Sequence, residues 1–180
     1  QSRSLQPGQN SKEVSGGILV FLKQPMVLRI LLMIAAFRMI EGFIRSLLPA
    51  MFKDWGMSLA EIGLLLGVFA PVSLLAGALA AGLLVNRIGR LRALLWFGGL
   101  QALSAAGYLF LASRDGPISV SSALPAVLVD HFVSGMITVA LFSLMMDWSR
   151  RKHGGTDYTC MDCIGVFAMM LGTTVSYLLA

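Results

Sequence analysis

An apolar run and a short basic string stand side by side at residues 59–92, which read LAEIGLLLGVFAPVSLLAGALAAGLLVNRIGRLR. The apolar run, 59–85, is long enough to cross a hydrocarbon core about 30 Å thick, which takes roughly 20 helical residues. The basic string is rich in glycine and arginine, and a second apolar run follows it. This arrangement predicts two membrane-spanning helices joined by a short, positively charged connection.

The composition of the whole chain supports a membrane protein. Of its 180 residues 57% are apolar and 13% are charged, against about 45–50% and 25% in soluble domains. The long apolar runs predict helices over 26–48, 59–85, 93–111, 123–148 and 158–180. A membrane span must satisfy its own backbone hydrogen bonds, and these runs are far too long for barrel strands. The sequence therefore predicts an all-α integral membrane fold.

Aromatic residues mark the ends of these predicted helices. The tryptophans and tyrosines near helix ends or in connections are Trp55, Trp96, Trp148, Tyr108, Tyr158 and Tyr177. Their rings prefer the level of the lipid headgroups, where one part is apolar and the other contacts water. We expect these six side chains to lie at the membrane interface.

Basic residues predict the orientation of the helices. One set of connections, with the N-terminal region, contains Arg3, Lys12, Lys23, Arg29, Arg87, Arg90, Arg92, Arg150, Arg151 and Lys152. The opposite connections contain Lys53 and Arg114. The positive-inside rule places the richer side, with the N-terminus, in the cytoplasm. The net charge of +5 is thus a topology signal, and it does not indicate a nucleic-acid partner.

The two ends of the chain predict its domain organisation. Residues 1–24 are expected to form a cytoplasmic linker, in which the short apolar segment 18–24 lies on the membrane surface. Residues 25–180 are expected to form a transmembrane helical half-domain. No signal peptide is recognisable in the polar N-terminal residues. The chain starts with glutamine and ends without a closing polar segment, so we expect a fragment of a longer protein.

The string GLLVNRIGRL at 82–91 resembles the loop signature of the major facilitator superfamily, G-x-L-x-D-R-x-G-R-R. The residues that fit this pattern are Gly82, Leu84, Arg87, Gly89 and Arg90. Asn86 stands where the family has its aspartate, and Leu91 where it has its last basic residue. The resemblance implies one half of a secondary transporter. Such a half has six spans, so the sixth span and the N-terminal half of the transporter are expected to be missing from this chain. It also implies a gating loop formed by Gly82, Asn86, Arg87, Gly89 and Arg90.

Charges inside the predicted spans are the candidate binding residues. Arg38, Glu41 and Arg45 lie on one stripe of the first helix, about 60° wide at 100° per residue. Asp130 on the fourth helix falls at a similar depth, so an ion pair between the two helices is reasonable, and His131 is its neighbour. Intramembrane charges are costly and usually face protein or water. They form either a structural cluster or the lining of a cavity that binds an anionic solute and titrates.

A narrower resemblance comes from three of the helices. R-x-x-E on the first, Asp130 with Ser134-Gly135-Met136 on the fourth, and Gly155-Thr156-Asp157-Tyr158-Thr159 at the start of the fifth are similar to anhydromuropeptide-permease-like carriers, a group that includes siderophore permeases. This resemblance implies proton-coupled import of an anionic small-molecule solute such as a siderophore. A muropeptide permease and a non-transporting membrane assembly subunit remain as alternatives.

Other motifs favour structural roles. Ser58 and Glu61 form an S-x-x-E capping box, and Thr156 or Asp157 is expected to cap the last helix. Small residues four apart predict close helix packing, at Gly63 and Gly67, at Gly77 and Ala81, and at Ala168, Gly172 and Ser176. Cys160 and Cys163 are read as packing residues, since no second ligand pair for zinc is present. With no nucleophile set, P-loop or metal cluster recognisable, the sequence predicts neither an enzyme nor a cofactor or metal.

Overall fold

The computed structural model describes residues 27–113, 116, 118–150 and 153–179. These residues form five long helices: α1 (Val27–Asp54), α2 (Leu59–Ile88), α3 (Arg90–Ala112), α4 (Val120–Trp148) and α5 (Gly154–Leu179). No strand occurs among them, so the protein is all-α, as predicted. The expected linker, 1–24, lies outside the described residues.

Four of the five helices are long and apolar enough to cross a membrane within the described part of the chain, namely α2, α3, α4 and α5. The first helix has 28 residues and would extend about 42 Å at 1.5 Å per residue. Its length suffices, but Arg38, Glu41 and Arg45 interrupt its apolar run. The helix predicted as the first span therefore differs from the other four in the charges that it carries within its apolar run.

The connection between α2 and α3 is a single residue. The predicted loop, 86–92, was too long, because α2 continues to Ile88 and α3 begins at Arg90. Gly89 lies between them with φ 90° and ψ 140°, a conformation that glycine adopts at little cost. Backbone hydrogen bonding continues beyond the apolar run, since the Gly89 amide donates to the Val85 carbonyl at 3.0 Å.

The middle of α2 contains one wider turn. Residues Leu65–Phe69 form a π-helical segment, in which the Ala70 amide donates to the carbonyl of Leu65. Pro71 follows at once, and proline has no amide proton and crowds the carbonyl four residues earlier. The wider turn relieves that crowding at Gly67 without ending the helix.

The chain divides into two compact units, and the first contains residues up to Leu47 together with those from Met145 onward. In it, α1 and α5 approach through reciprocal glycines. A Cβ atom on Gly42 would lie 2.3 Å from the carbonyl oxygen of Met169, and one on Gly172 would lie 2.0 Å from that of Met39. Thr173 also donates to the Gly42 carbonyl at 3.4 Å. Only glycine fits at these two positions.

The second unit, Leu48–Leu144, repeats this arrangement with α2 and α4. A Cβ atom on Gly77 would lie 1.8 Å from the carbonyl oxygen of Phe132, and one on Gly135 would lie 2.1 Å from that of Leu74. Ser73 donates to the Leu128 carbonyl at 2.6 Å on the same pair of helices. We call these two arrangements the α1–α5 crossing and the α2–α4 crossing.

The predicted small-residue packing is confirmed in part. Gly77 and Gly172 lie at the crossings, and Ala81, Ala168 and Ser176 are buried beside them on the same helices. Gly63 and Gly67 would meet nothing within 4 Å if they carried a Cβ, so the prediction is wrong for this pair. Small residues in an apolar helix permit close approach, but they do not identify the face that has a partner.

The end of the second unit that contains Trp55 holds an apolar core. The ring of Phe52 is fully buried, and its centroid lies 5.7 Å from that of Trp55 and 6.4 Å from that of Tyr108. The capping box is confirmed, with the Ser58 side chain accepting from the Glu61 amide and the Glu61 carboxylate accepting from the Ser58 amide. This cap fixes where α2 begins.

Candidate functional site

Three charged side chains of α1 form one ion-paired group, which we call the α1 triad. Arg38 Nη1 lies 3.2 Å from Glu41 Oε2, and Arg45 Nη2 lies 3.1 Å from Glu41 Oε1. The predicted stripe is therefore confirmed as a set of contacts. Two guanidinium groups share one carboxylate, so the triad has a net charge of +1.

The members of the triad differ in exposure. The side chains of Arg38 and Glu41 are 13% and 14% exposed, whereas that of Arg45 is 38% exposed. On α5, Gly165 leaves room for the arginine, because a Cβ there would lie 3.3 Å from Arg38 Cγ and 3.6 Å from Arg38 Nε. The triad thus combines one enclosed guanidinium with one that is accessible.

The carboxylate of Asp130 on α4 is surrounded by hydrogen-bond donors from α3. Gln101 Nε2 donates to Oδ1, and the Tyr108 hydroxyl lies 3.4 Å from Oδ2. The Ser104 hydroxyl lies 3.0 Å from Oδ1 and 2.8 Å from the Gln101 carbonyl oxygen, so its one proton can go to either acceptor. Positions i, i+3 and i+7 share one helix face, which explains how three side chains of α3 converge on one carboxylate. We call these three residues the α3 donors.

Sequence reasoning missed Gln101 and Ser104, because neutral polar residues within an apolar run carry a much weaker signal than charges. Tyr108 was expected at the membrane interface, but its side chain is buried and directed at Asp130. That expectation considered the depth of the residue along the helix and ignored the direction in which it points. The spacing of the three polar residues was the available signal.

An ion pair between Asp130 and the first helix was predicted from their similar depth. The triad belongs to the first unit and Asp130 to the second, and the hydrogen bonds described for the carboxylate come from α3. The predicted pair stays a prediction.

His131 is held by its own helix. Its Nδ1 lies 3.0 Å from the Val127 carbonyl oxygen, as a donor would, and 3.7 Å from Asp130 Oδ2. The ring is buried. This geometry favours a packing role for His131 over direct contact with a solute.

The predicted gating residues occupy the end of α2 and the start of α3. Arg90 Nη1 donates to the Ser143 carbonyl of α4 at 3.2 Å, while Asn86 Nδ2 donates to the Gly82 carbonyl of its own helix at 3.5 Å. Arg87 is exposed in the last turn of α2. Only Arg90 of this set is described in contact with another helix, and a gating role for the set stays a prediction.

Arg150, which follows α4, forms an ion pair with the buried Asp157 of α5. Asp157 lies in the first turn of α5 and is fully buried. Its Oδ2 accepts from the Arg150 amide at 3.0 Å and from Nε at 2.8 Å, and its Oδ1 accepts from Nη2 at 2.7 Å. These bonds hold the pKa of the Arg150 guanidinium above its ordinary value. Asp157 therefore holds Arg150 at the start of α5, whereas the expected capping role named no partner for it.

The histidine, cysteine and acidic side chains of the described part of the chain can be compared with the needs of a metal site. No group of three or more His, Cys, Asp or Glu side chains is placed there to hold a metal ion. Cys160 is half-buried and Cys163 is exposed, both as free thiols. Apart from the Arg150–Asp157 pair, the groups that combine charge with burial in the described part of the chain are the α1 triad and Asp130 with the α3 donors.

Comparison with known proteins points to one family. The family model described as Major Facilitator Superfamily matches residues 18–180. Anhydromuropeptide permeases of Escherichia coli K12 and O157:H7 are each 29% identical over 136 residues, 75% of this chain and 27% of theirs. The Rickettsia felis protein named putative transporter AmpG 4 is 21% identical over 142 residues, 79% of this chain and 34% of its own. The chain thus spans about a third or less of the length of these curated relatives.

Proposed function

We propose that this chain, which belongs to the Major Facilitator Superfamily, carries five helices of a secondary transporter that imports an anionic muropeptide together with protons. The names of the relatives support a muropeptide, while the siderophore expected from the sequence has no support among them. The basic connections favour the bacterial inner membrane with a cytoplasmic N-terminus. A further N-terminal half completes the carrier in this proposal.

The α1 triad is the observation that carries the substrate class. A charge within a membrane span costs at least about 2.5–3.5 kcal/mol on insertion scales, yet α1 retains three of them. The planar guanidinium of Arg38 can bind a carboxylate through two parallel hydrogen bonds. Arg45, which is more exposed, adds positive charge beside it. The carboxylates of a muropeptide's peptide part suit such a site.

Asp130 is the proposed coupling group for protons. The α3 donors already occupy acceptor positions on its carboxylate. A proton that binds to Asp130 turns one carboxyl oxygen into a donor and leaves fewer acceptor positions for these three side chains. Protonation would therefore change the contact between α3 and α4, which is what coupling requires. Glu41 is the second candidate, because its charge balances two arginines.

Uptake by the carrier in bacterial membrane vesicles tests both parts. Arg38→Lys keeps the positive charge but loses the planar fork, so we expect muropeptide binding to weaken about tenfold to a hundredfold, as for a lost charge-assisted hydrogen bond. Arg29→Lys is the matched control, because Arg29 is an exposed residue of the same helix outside the triad. Asp130→Asn keeps the shape and should abolish accumulation driven by a proton gradient.

Normal binding by Arg38→Lys, together with a failure of Arg38→Ala to insert, would make Arg38 a structural member of the triad. Accumulation that survives in both Asp130→Asn and Glu41→Gln would refute the proton role. If neither the unsubstituted protein nor any variant moved a muropeptide, a non-transporting membrane assembly subunit would be the better description, since such a subunit needs the glycine crossings but not the charges.

A further inference from the structure

A cleft between α3 and α4 leads from the helix ends to the Asp130 group. Its volume is about 490 Å³. Ser121 and Ser122 line it at the start of α4, and Ser104 lines it from α3. Asp130 lies nine residues beyond Ser121 on α4, a distance of about 14 Å along the helix axis. The cleft therefore extends toward the buried carboxylate from the membrane face at which α3 ends and α4 begins.

Two small residues keep the middle of this cleft open. Gly107 on α3 faces Ala126 on α4, and a Cβ on the glycine would lie 3.5 Å from the alanine Cβ. Larger side chains at either position would fill the space between the helices. The cleft thus depends on residue size at one level of the bundle.

Most side chains that line the cleft are apolar, and its polar side chains are Ser104, Ser121 and Ser122. These hydroxyls are the groups that can hold water there. Pro125 lacks the amide proton that the Ser121 carbonyl would accept within the helix, and ordered water at the start of α4 can supply a donor in its place. The hydroxyls of Ser121 and Ser122 lie 3.0 and 3.1 Å from that of Ser119. At about 30 Å³ per water molecule, the volume accommodates on the order of ten.

We propose that this cleft is a water-filled route that delivers protons to Asp130, through Ser104, from the membrane face at which α3 ends and α4 begins; the inference rests on the proposed coupling role of Asp130. Ser104 Oγ lines the cleft and lies 3.0 Å from Asp130 Oδ1. Because the Ser104 hydroxyl also lies 2.8 Å from the Gln101 carbonyl oxygen, the transfer requires its proton to be directed at Oδ1. A hydronium ion in the cleft then gives a proton to the Ser104 oxygen while the original hydroxyl proton passes to Oδ1. The hydronium becomes water, serine is regenerated and the carboxylate is protonated.

Tyr108 and His131 are the titratable side chains described beside Asp130 in this unit. The Tyr108 hydroxyl on α3 faces Oδ2, and His131 on α4 directs Nδ1 at the Val127 carbonyl. Neither lines the cleft. Ser104 is the lining residue that contacts the carboxylate among the described side chains.

Cysteine accessibility in cells tests whether the cleft contains water. We would label the carrier with a charged, membrane-impermeant methanethiosulfonate reagent, after replacing Cys160 and Cys163 by serine. Ala126→Cys should react at least about tenfold faster than Ala106→Cys, since a charged reagent does not enter lipid. Ala106 is the matched control, because it is exposed on α3 next to Gly107 and lies outside the cleft. Equal rates, whether slow or fast, would overturn the proposal.

A second measurement separates the route from the coupling role. In proteoliposomes that contain the carrier and a pH indicator, Gly107→Leu should slow muropeptide-driven proton movement about tenfold, as expected when the water that carries protons is displaced. Gly98→Leu is the control, because Gly98 has open space around it and does not line the cleft.

Full proton movement in Gly107→Leu combined with none in Asp130→Asn would overturn the route and leave the proposed function standing. Full movement in Asp130→Asn would refute the coupling role, and with it the destination assigned to the cleft, whatever the labelling rates.

Discussion

Replacement of Gly77 by alanine should destabilise the α2–α4 crossing, while the same replacement at Gly63 should not. The alanine Cβ at position 77 would lie 1.8 Å from the Phe132 carbonyl oxygen, whereas ordinary contact begins at 3.4 Å. The two helices must therefore separate by about 1.6 Å, because a backbone carbonyl in a helix cannot turn aside. Overpacking of this kind costs about 1–3 kcal/mol, and we expect the upper end of that range.

Gly63 provides the matched control on the same helix. Its Cβ would meet nothing within 4 Å, so Gly63→Ala should be neutral or should gain up to about 1 kcal/mol from helix propensity. The two variants are expected to differ by about 2–4 kcal/mol in the free energy of unfolding. Thermal unfolding of the detergent-purified carrier should give Gly77→Ala a Tm several degrees below that of Gly63→Ala. Equal Tm values would show that the crossing does not need its glycine.

Two further substitutions test the connections between helices. Asp157→Asn removes the charge from a fully buried partner of Arg150 and should lower the free energy of unfolding by about 3–5 kcal/mol, measured as a lower Tm. Asp162→Asn on the same helix is the control and should leave the Tm unchanged. A normal Tm for Asp157→Asn would mean that water replaces Asp157 as the partner of Arg150 at no cost. Asn86→Asp restores the acidic residue of the family pattern at an exposed position near Arg87 and Arg90, and should slow opening or shift the resting state, seen in transport kinetics and thiol accessibility. Unchanged kinetics and accessibility in this variant would make the string a topology anchor only.

The sequence was sufficient for features that depend on local spacing. The helical class, the charged stripe of the α1 triad and the capping box all follow from residues within one or two helical turns of each other. Helix ends were less well predicted, because hydropathy falls before backbone hydrogen bonding stops, as between Val85 and Ile88. Each such case concerns a few residues and one helix.

Features that depend on pairs of helices could not be predicted in the same way. Gly135 has no small neighbour four residues away that would distinguish it, and the carbonyl that it faces belongs to a helix distant in sequence. Gln101 is an ordinary polar residue until Asp130 is placed beside it. The sequence contains these residues but not the rotation of one helix relative to its partner, which decides their contacts.

The two glycine crossings also constrain the order in which the protein can be assembled during synthesis. The Ser73–Leu128 bond of the α2–α4 crossing joins residues 55 positions apart, and the Thr173–Gly42 bond of the α1–α5 crossing joins residues 131 apart. Chains emerge from the ribosome N-terminus first, at about 5–20 residues per second. The α2–α4 crossing can therefore form while α5 is still being translated. The α1–α5 crossing cannot form until α5 has been synthesised, so α1 and its three charges are in the membrane before that contact exists.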